Sequence, residues 1–124
     1  MNKNDFIIPE DSTFYEAKFN EIEVWISDNQ MSDKTLLLAE RILKAYPEKY
    51  SDVVEYLFED EGIAIFFNNP SKEEIAKKLH EPIIMITENG GELSYCNHEL
   101  DYVHSIDIEF RGVFEQFLYV GING

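Results

Sequence analysis

The chain has 124 residues, of which 44% are hydrophobic, and ten Lys and Arg against 25 Asp and Glu give a net charge of −15. This length and apolar content predict a single folded domain, residues 1–124, rather than a disordered segment. The negative field disfavours direct binding to nucleic acid or anionic membrane and favours a basic protein partner. The alternative is that the acidity only keeps the protein soluble.

The compartment is indicated by cysteine content and hydropathy. A single cysteine, Cys96, excludes an internal disulfide and is typical of a reducing compartment. The apolar stretch before Pro9 is too short for the core of a signal peptide. No apolar run approaches the roughly 20 residues of a membrane span. We therefore expect a cytoplasmic protein with no membrane partner.

Two alternating segments come first in the chain. In Phe14–Phe19 and Ile22–Ser27 every second residue is Ala or a larger apolar residue, as in strands that have one face on a core. Their short separation predicts an antiparallel hairpin, although Asn20-Glu21 is a poor two-residue turn. The side of the second strand opposite its buried residues carries Glu21, Glu23 and Trp25.

Helical patterning follows. Ser32 fits an N-cap, and an apolar stripe with helical spacing extends to about Tyr46. Pro47 predicts the end of this helix and the start of a second, because proline is best tolerated in a first helical turn. The second helix should end at the acidic run 59–61, with Gly62 as its C-terminal cap. Acidic side chains at that end would oppose the helix dipole.

The middle of the chain is less clearly patterned. Residues 63–67 are apolar, and a run this short fits either a helix or a buried strand. Ser71 and Glu74 match a capping box, which predicts a third short helix to about Leu79. Pro82 then separates the helices from the last third of the chain.

The last third predicts four strands in series. The strongest turn signal is Asn89-Gly90-Gly91, and the third strand has the cleanest alternation, with Ser105, Asp107 and Glu109 directed away from the core. In the fourth strand, Phe117, Tyr119 and Gly121 should lie on the side opposite to Leu118, Val120 and Ile122. The predicted strands are Ile83–Glu88, Glu92–Cys96, Tyr102–Phe110 and Phe117–Ile122. The order of strands, helices and strands predicts an α+β fold, an antiparallel sheet with two to three helices packed on one face.

A metal site is the first chemical candidate. Cys96, His98 and His104 lie close in sequence, and these residue types suit zinc. Their spacing lacks the repeated ligand pairs of a structural zinc site, so we expect no metal. The alternative roles are a small buried hydrophobe for Cys96 and turn hydrogen bonds for the histidines. Further nearby ligand types are His80, Glu99 and Asp101.

Signatures of catalysis are missing from the sequence. There is no nucleophile elbow, phosphate-binding loop or dinucleotide fingerprint. The carboxylates are too numerous to single out a catalytic pair, and the acidic run 59–61 lacks the ligand pattern of a calcium loop. We therefore expect a protein that is not an enzyme and needs no cofactor.

An acidic and aromatic strand face is the remaining candidate. If the N-terminal hairpin joins the C-terminal sheet, acids and aromatic rings would share one outer surface, a composition that suits a hot spot for a basic protein. The alternative is that Trp25 is covered by a loop or the N-terminal segment. The predicted partner-binding residues are Glu21, Glu23, Trp25, Asp107, Glu109 and Tyr119.

The C-terminal runs His98–Glu115 and Phe117–Gly124 resemble a group of small, acidic bacterial domains of unknown function. Some of these are similar to immunity proteins, which are encoded beside polymorphic toxins. The resemblance implies a cytoplasmic protein that binds and neutralises a partner, and it carries no catalytic residue over to this chain. The leading hypothesis is therefore an immunity-type inhibitor of a basic bacterial toxin. The alternatives are a generic regulatory or structural interaction domain and a small metal-dependent hydrolase.

Overall fold

The structure is a computed structural model that describes residues 1–124. Six strands form one sheet, and their order across the sheet is the same as their order along the chain. Adjacent strands are antiparallel except β2 and β3, which are parallel. A parallel pair needs a long crossover, and three helices supply it. The predicted α+β fold is confirmed. The sequence predicted an antiparallel sheet and did not predict that β2 and β3 are parallel. The strands are β1 (Phe14–Phe19), β2 (Ile22–Ser27), β3 (Ile83–Ile86), β4 (Gly90–Tyr95), β5 (Ser105–Arg111) and β6 (Gln116–Asn123).

The crossover contains helices α1 (Asp33–Glu59), α2 (Glu61–Phe66) and α3 (Lys72–Lys78). The two helices that the sequence predicted on either side of Pro47 form one continuous helix, α1, which is 27 residues long. An interior proline costs about 3 kcal/mol, since it lacks an N–H and its ring crowds the carbonyl one turn back. The prediction of a break was wrong because buried residues line one stripe on both sides of the proline. They are Leu36, Ala39, Ile42, Tyr46, Val53, Val54 and Leu57.

The acidic run after α1 acts at the start of a helix as well as at the end of one. Asp60 is the C-cap of α1 and the N-cap of α2, where its Oδ1 accepts the N–H of Ile63 at 2.9 Å. Gly62 lies inside α2 and is not a cap, so that expectation was wrong. The ambiguous segment 63–67 is mainly helical. Glu61 in the first turn of α2 favours the dipole of that helix, while Glu59, the last residue of α1, still opposes the dipole of α1.

Short-range signals located two other elements well. Ser71 caps α3, and its Oγ accepts the N–H of Glu74 at 3.1 Å. The turn between β1 and β2 has two residues, as expected, with φ of 49° at Asn20 and 71° at Glu21. Positive φ at both positions is the geometry that follows the twist of a hairpin. Glu21 is strained in this conformation, because its Cβ crowds the backbone there.

One apolar core lies between the sheet and the helices. It contains 22 buried hydrophobic residues, and those on β2 and β5 lie where the alternation predicts, as at Val24 and Ile108. The hydroxyl groups of Tyr46 on α1 and Tyr95 on β4 lie 2.5 Å apart and satisfy each other in this interior. Burial raises the pKa of both tyrosines, so both remain neutral.

The pairing of β5 with β6 contains a bulge. Phe110 pairs with Phe117, whereas the preceding Glu109 pairs with Tyr119, so Leu118 is the extra residue. Phe117 consequently packs on the core side, against Tyr56 with ring centroids 5.0 Å apart. The prediction that Phe117 and Tyr119 share a face was wrong, because the bulge interrupts the period of two.

Candidate functional site

The sheet face opposite the helices, hereafter the outer face, brings together most of the predicted binding residues. Five of the six lie there: Glu23 and Trp25 on β2, Asp107 and Glu109 on β5, and Tyr119 on β6. Glu21 does not, because it belongs to the turn before β2, where its carboxylate lies 3.6 Å from the Lys18 ammonium.

Strand pairing aligns side chains in one row across this face. Trp25 is opposite Met85, Met85 is opposite Glu92, Glu92 is opposite Glu109, and Glu109 is opposite Tyr119. We call these residues, with Glu16 opposite Trp25 on β1, the central row. The sequence prediction missed Met85 and Glu92, although both alternate with buried neighbours on their own strands. Their place in the row depends on the parallel pairing of β3, which the sequence pattern does not specify.

Like charges face each other directly in the central row. Glu92 and Glu109 are register partners, and Asp107 is the next outward-facing residue on β5. Desolvation and the charges of Asp107 and Glu109 raise the pKa of Glu92 above its ordinary value. The charges of Glu109 and Glu92 also raise the pKa of Tyr119. The middle of the outer face is therefore a site of strong negative potential.

The carboxylate of Asp107 is held in a fixed position. It accepts hydrogen bonds from Ser94 Oγ at 2.6 Å, Asn123 Nδ2 at 2.5 Å and Ser105 Oγ at 3.2 Å. All of these donors are neutral, so they orient the carboxylate without cancelling its charge. Four outward-facing carboxylates on β2, β4 and β5 form no ion pair within the chain; they are Glu23, Glu92, Asp107 and Glu109.

A groove of about 500 Å³ crosses the outer face beside the acids. Trp25, Phe14 and Met85 supply much of its apolar lining, while Glu92, Glu109 and Arg111 supply charge. The Trp25 ring packs on Phe14 with centroids 5.8 Å apart and is half-buried. Its Nε1–H is buried without an acceptor. A buried donor that lacks an acceptor costs about 1–3 kcal/mol.

The suggested zinc ligands do not converge on one point. His98 uses both ring nitrogens, because Nδ1 accepts the N–H of Leu100 at 3.0 Å and Nε2 lies 2.5 Å from the carbonyl oxygen of His104. His104 Nδ1 lies 2.7 Å from Asp101 Oδ2. No three side chains of the His, Cys, Asp and Glu types are grouped as metal ligands. The histidines thus serve the turn before β5, as one alternative expected, whereas Cys96 is exposed rather than buried.

Asp101 organises this turn. Desolvation opposes its ionisation, but hydrogen bonds from the backbone and side chain of His104 and from the N–H of Val103 prevail and lower the pKa of Asp101 to about 2. The segment that the sequence assigned to the start of the third strand is therefore a hydrogen-bonded turn, and β5 begins only at Ser105. This correction leaves the outward positions of Asp107 and Glu109 unchanged.

A cavity of about 800 Å³ lies between α1, α3 and the hairpin turn, away from the outer face. Tyr46 and Tyr50 line it, and both hydroxyls are already engaged, that of Tyr50 by the carbonyl oxygen of Ala76 at 2.6 Å. Its charged side chains are of both signs, including Lys44, Lys77 and Glu81. Its charged side chains do not share one sign and its tyrosine hydroxyls are not free, so the lining does not indicate the chemical class of a ligand.

No protein-family model, curated protein or solved structure matches this chain. No helix in the structure combines the length and apolarity that crossing a membrane requires.

Proposed function

We propose that this chain is a non-enzymatic binding protein that uses its outer face to bind a basic protein, as an immunity-type inhibitor of a bacterial toxin in the cytoplasm. The observation that carries the proposal is the central row. Carboxylates without ion-pair partners lie there beside an aromatic groove.

Charge supports a basic partner. A Lys or Arg side chain placed between Glu92 and Glu109 would pair with both carboxylates and relieve their mutual repulsion. The net charge of −15 would attract a basic protein over a longer range and accelerate association at low salt. A nuclease-like toxin fits this description, because its substrate site binds phosphates that acidic side chains can replace.

The aromatic groove supports a protein rather than a small cation. Trp25, Phe14 and Tyr119 offer apolar area beside the acids, and Tyr and Trp are enriched among residues that dominate interfaces. We expect Trp25→Ala to weaken the complex by about 2 kcal/mol or more.

The decisive experiment compares two reversals of charge that change the net charge equally. A basic protein would be captured from the source cells at low salt and purified, and its affinity would be measured for the unchanged chain, Glu109→Lys and Glu48→Lys. Glu48 is exposed on α1, away from the outer face. We expect Glu109→Lys to weaken binding at least tenfold more than Glu48→Lys, because local pairing adds to the shared loss of attraction.

The inhibitor assignment is tested separately by activity. Expression of the captured protein should be toxic, and co-expression of the unchanged chain should restore growth, whereas Glu109→Lys should restore it poorly. A harmless partner would favour the alternative of a generic interaction domain. Equal affinities of Glu109→Lys and Glu48→Lys would reject the outer face as the binding site.

A further inference from the structure

The two edges of the sheet are very different. Strand β1, at one edge, carries the charged residues Glu16 and Lys18. The N-terminal segment also covers part of this edge, because Ile7 and Glu16 exchange backbone hydrogen bonds of 2.9 and 2.7 Å. Charges and covering segments are common protections of an edge strand against pairing with another chain.

Strand β6, at the other edge, lacks these protections. Residues 116–124 contain no charged side chain and no proline, although 28% of the whole chain is charged. No segment of the chain pairs with the outer side of β6. Its core-facing residues Phe117, Val120 and Ile122 are only partly buried, whereas Ile106 and Ile108 on the neighbouring strand are fully buried.

An exposed apolar patch lies at the end of β6. Ile65 is 83% exposed on α2, and Tyr102 and Val103 in the turn before β5 are 86% and 73% exposed. Helix α2 adjoins this turn, because the ring centroids of Phe66 and His104 lie 4.7 Å apart. The turn meets the strand end, since a Cβ on Gly124 would lie only 2.5 Å from the carbonyl oxygen of Val103.

We propose that this edge is an interface for a second copy of the chain, in which the two β6 strands pair antiparallel about a two-fold axis. Antiparallel edges complement themselves, so one uncovered strand suffices for a symmetric dimer. The apolar patch, consisting of Ile65, Phe66, Tyr102 and Val103, adjoins the C-terminal end of β6. In this antiparallel pair it would lie beside the first residues of the second copy's β6.

The uncharged edge suits a second copy better than it suits a basic partner. Two chains of net charge −15 repel each other, so a stable contact between them must avoid charged side chains, and β6 with its patch provides such a surface. A basic partner would gain nothing from this uncharged edge and is matched by the outer face. A two-fold axis perpendicular to the sheet would also place both outer faces on the same side of the dimer.

The dimer and the basic complex should depend on salt in opposite ways. Raising salt from about 50 to about 500 mM screens repulsion between like-charged copies, so dimerisation should strengthen while binding of a basic partner weakens. Sedimentation velocity on the full chain should show a species of twice the 14.5 kDa chain mass, with a population that rises with concentration and salt. A species that remains monomeric at high concentration and high salt would overturn the proposal.

Variants at exposed positions locate the interface without disturbing the core. The double variant Ile65→Asp with Val103→Asp should weaken the dimer at least tenfold, because it places charge at the apolar patch. The control Leu37→Asp changes a residue on α1 that is 50% exposed and should leave the dimer unchanged. In the unchanged chain, backbone amides of β6 should exchange hydrogen more slowly as concentration rises, while those of β1 should not. Protection at β1 alone, or equal effects of the variants, would refute the β6 interface.

Discussion

The direct opposition of Glu92 and Glu109 is the clearest sign, at the residue scale, that the outer face is built for something other than stability. Like charges on directly paired residues destabilise a sheet by tenths of a kcal/mol to about 1 kcal/mol. Neutral hydrogen-bond donors fix Asp107 close to this pair without neutralising it. A face that accepts this cost gains a concentrated negative potential that a cationic partner can use.

We predict that Glu92→Gln stabilises the isolated protein. Removing one charge from the opposed pair should raise the free energy of unfolding at pH 7 by a few tenths to about 1 kcal/mol. Urea unfolding measures this change, with Glu48→Gln on the exposed side of α1 as the matched control, for which we expect almost no effect. A lower stability of Glu92→Gln would show that the carboxylate makes a favourable interaction in the folded state.

Helix α1 shows, at the scale of an element, how packing overrides a local signal. Pro47 alone predicts two helices, yet the buried stripe from Leu36 to Leu57 continues across it. The residues after the proline can reach the core only if the helix keeps its direction and phase. The apolar burial on both sides therefore exceeds the local cost of the proline, which is about 3 kcal/mol.

Replacing this proline should release part of that cost. Pro47→Ala restores the N–H that can donate to the Leu43 carbonyl, although it also makes the unfolded chain more flexible. We expect a net gain of about 1–2 kcal/mol in the free energy of unfolding. Denaturant unfolding of Pro47→Ala beside Glu48→Ala, an exposed neighbour with little propensity change, tests this. A loss of stability would mean that the ring of Pro47 makes packing contacts worth more than the missing hydrogen bond.

At the scale of the whole molecule, charge is distributed unevenly. Carboxylates occupy the middle of the outer face, whereas β6 and the adjoining apolar patch carry no charge. The proposed basic partner would use the outer face and the proposed second copy the edge of β6, and Tyr119 on β6 belongs to both sites. Their opposite dependence on salt allows each proposal to fail without the other.

The same distribution predicts a stability maximum at mildly acidic pH. The pKa of Glu92 is raised, so the folded state binds that proton more tightly and stability should rise as pH falls from neutral through this pKa. Asp101 has a pKa lowered to about 2, so its contribution is present above its unfolded value of 3.8 and is lost as pH falls toward 2. Thermal unfolding should therefore show the highest Tm between about pH 4 and pH 6. A Tm that falls steadily from pH 7 to pH 5 would contradict this, and Glu92→Gln should flatten the rise.

The parts of this protein that could be predicted from sequence depend on neighbours along the chain. Alternation identified the buried faces of β2 and β5 and the outward positions of Trp25 and Asp107. The capping signal at Ser71 located α3. Both signals work because side-chain direction in a strand and hydrogen bonding at a helix end are determined within a few residues.

Only the tertiary structure determined which of these pieces meet. The continuity of α1 through Pro47, the parallel pairing of β2 with β3 and the bulge that turns Phe117 to the core depend on contacts between distant segments. Those contacts place Met85 and Glu92 in the central row. The sequence by itself therefore determined the acidic charge, the α+β class and the outward side of each clear strand. The single acidic row and the uncovered β6 edge exist because strand order and register are determined by long-range packing, which local periodicity does not encode.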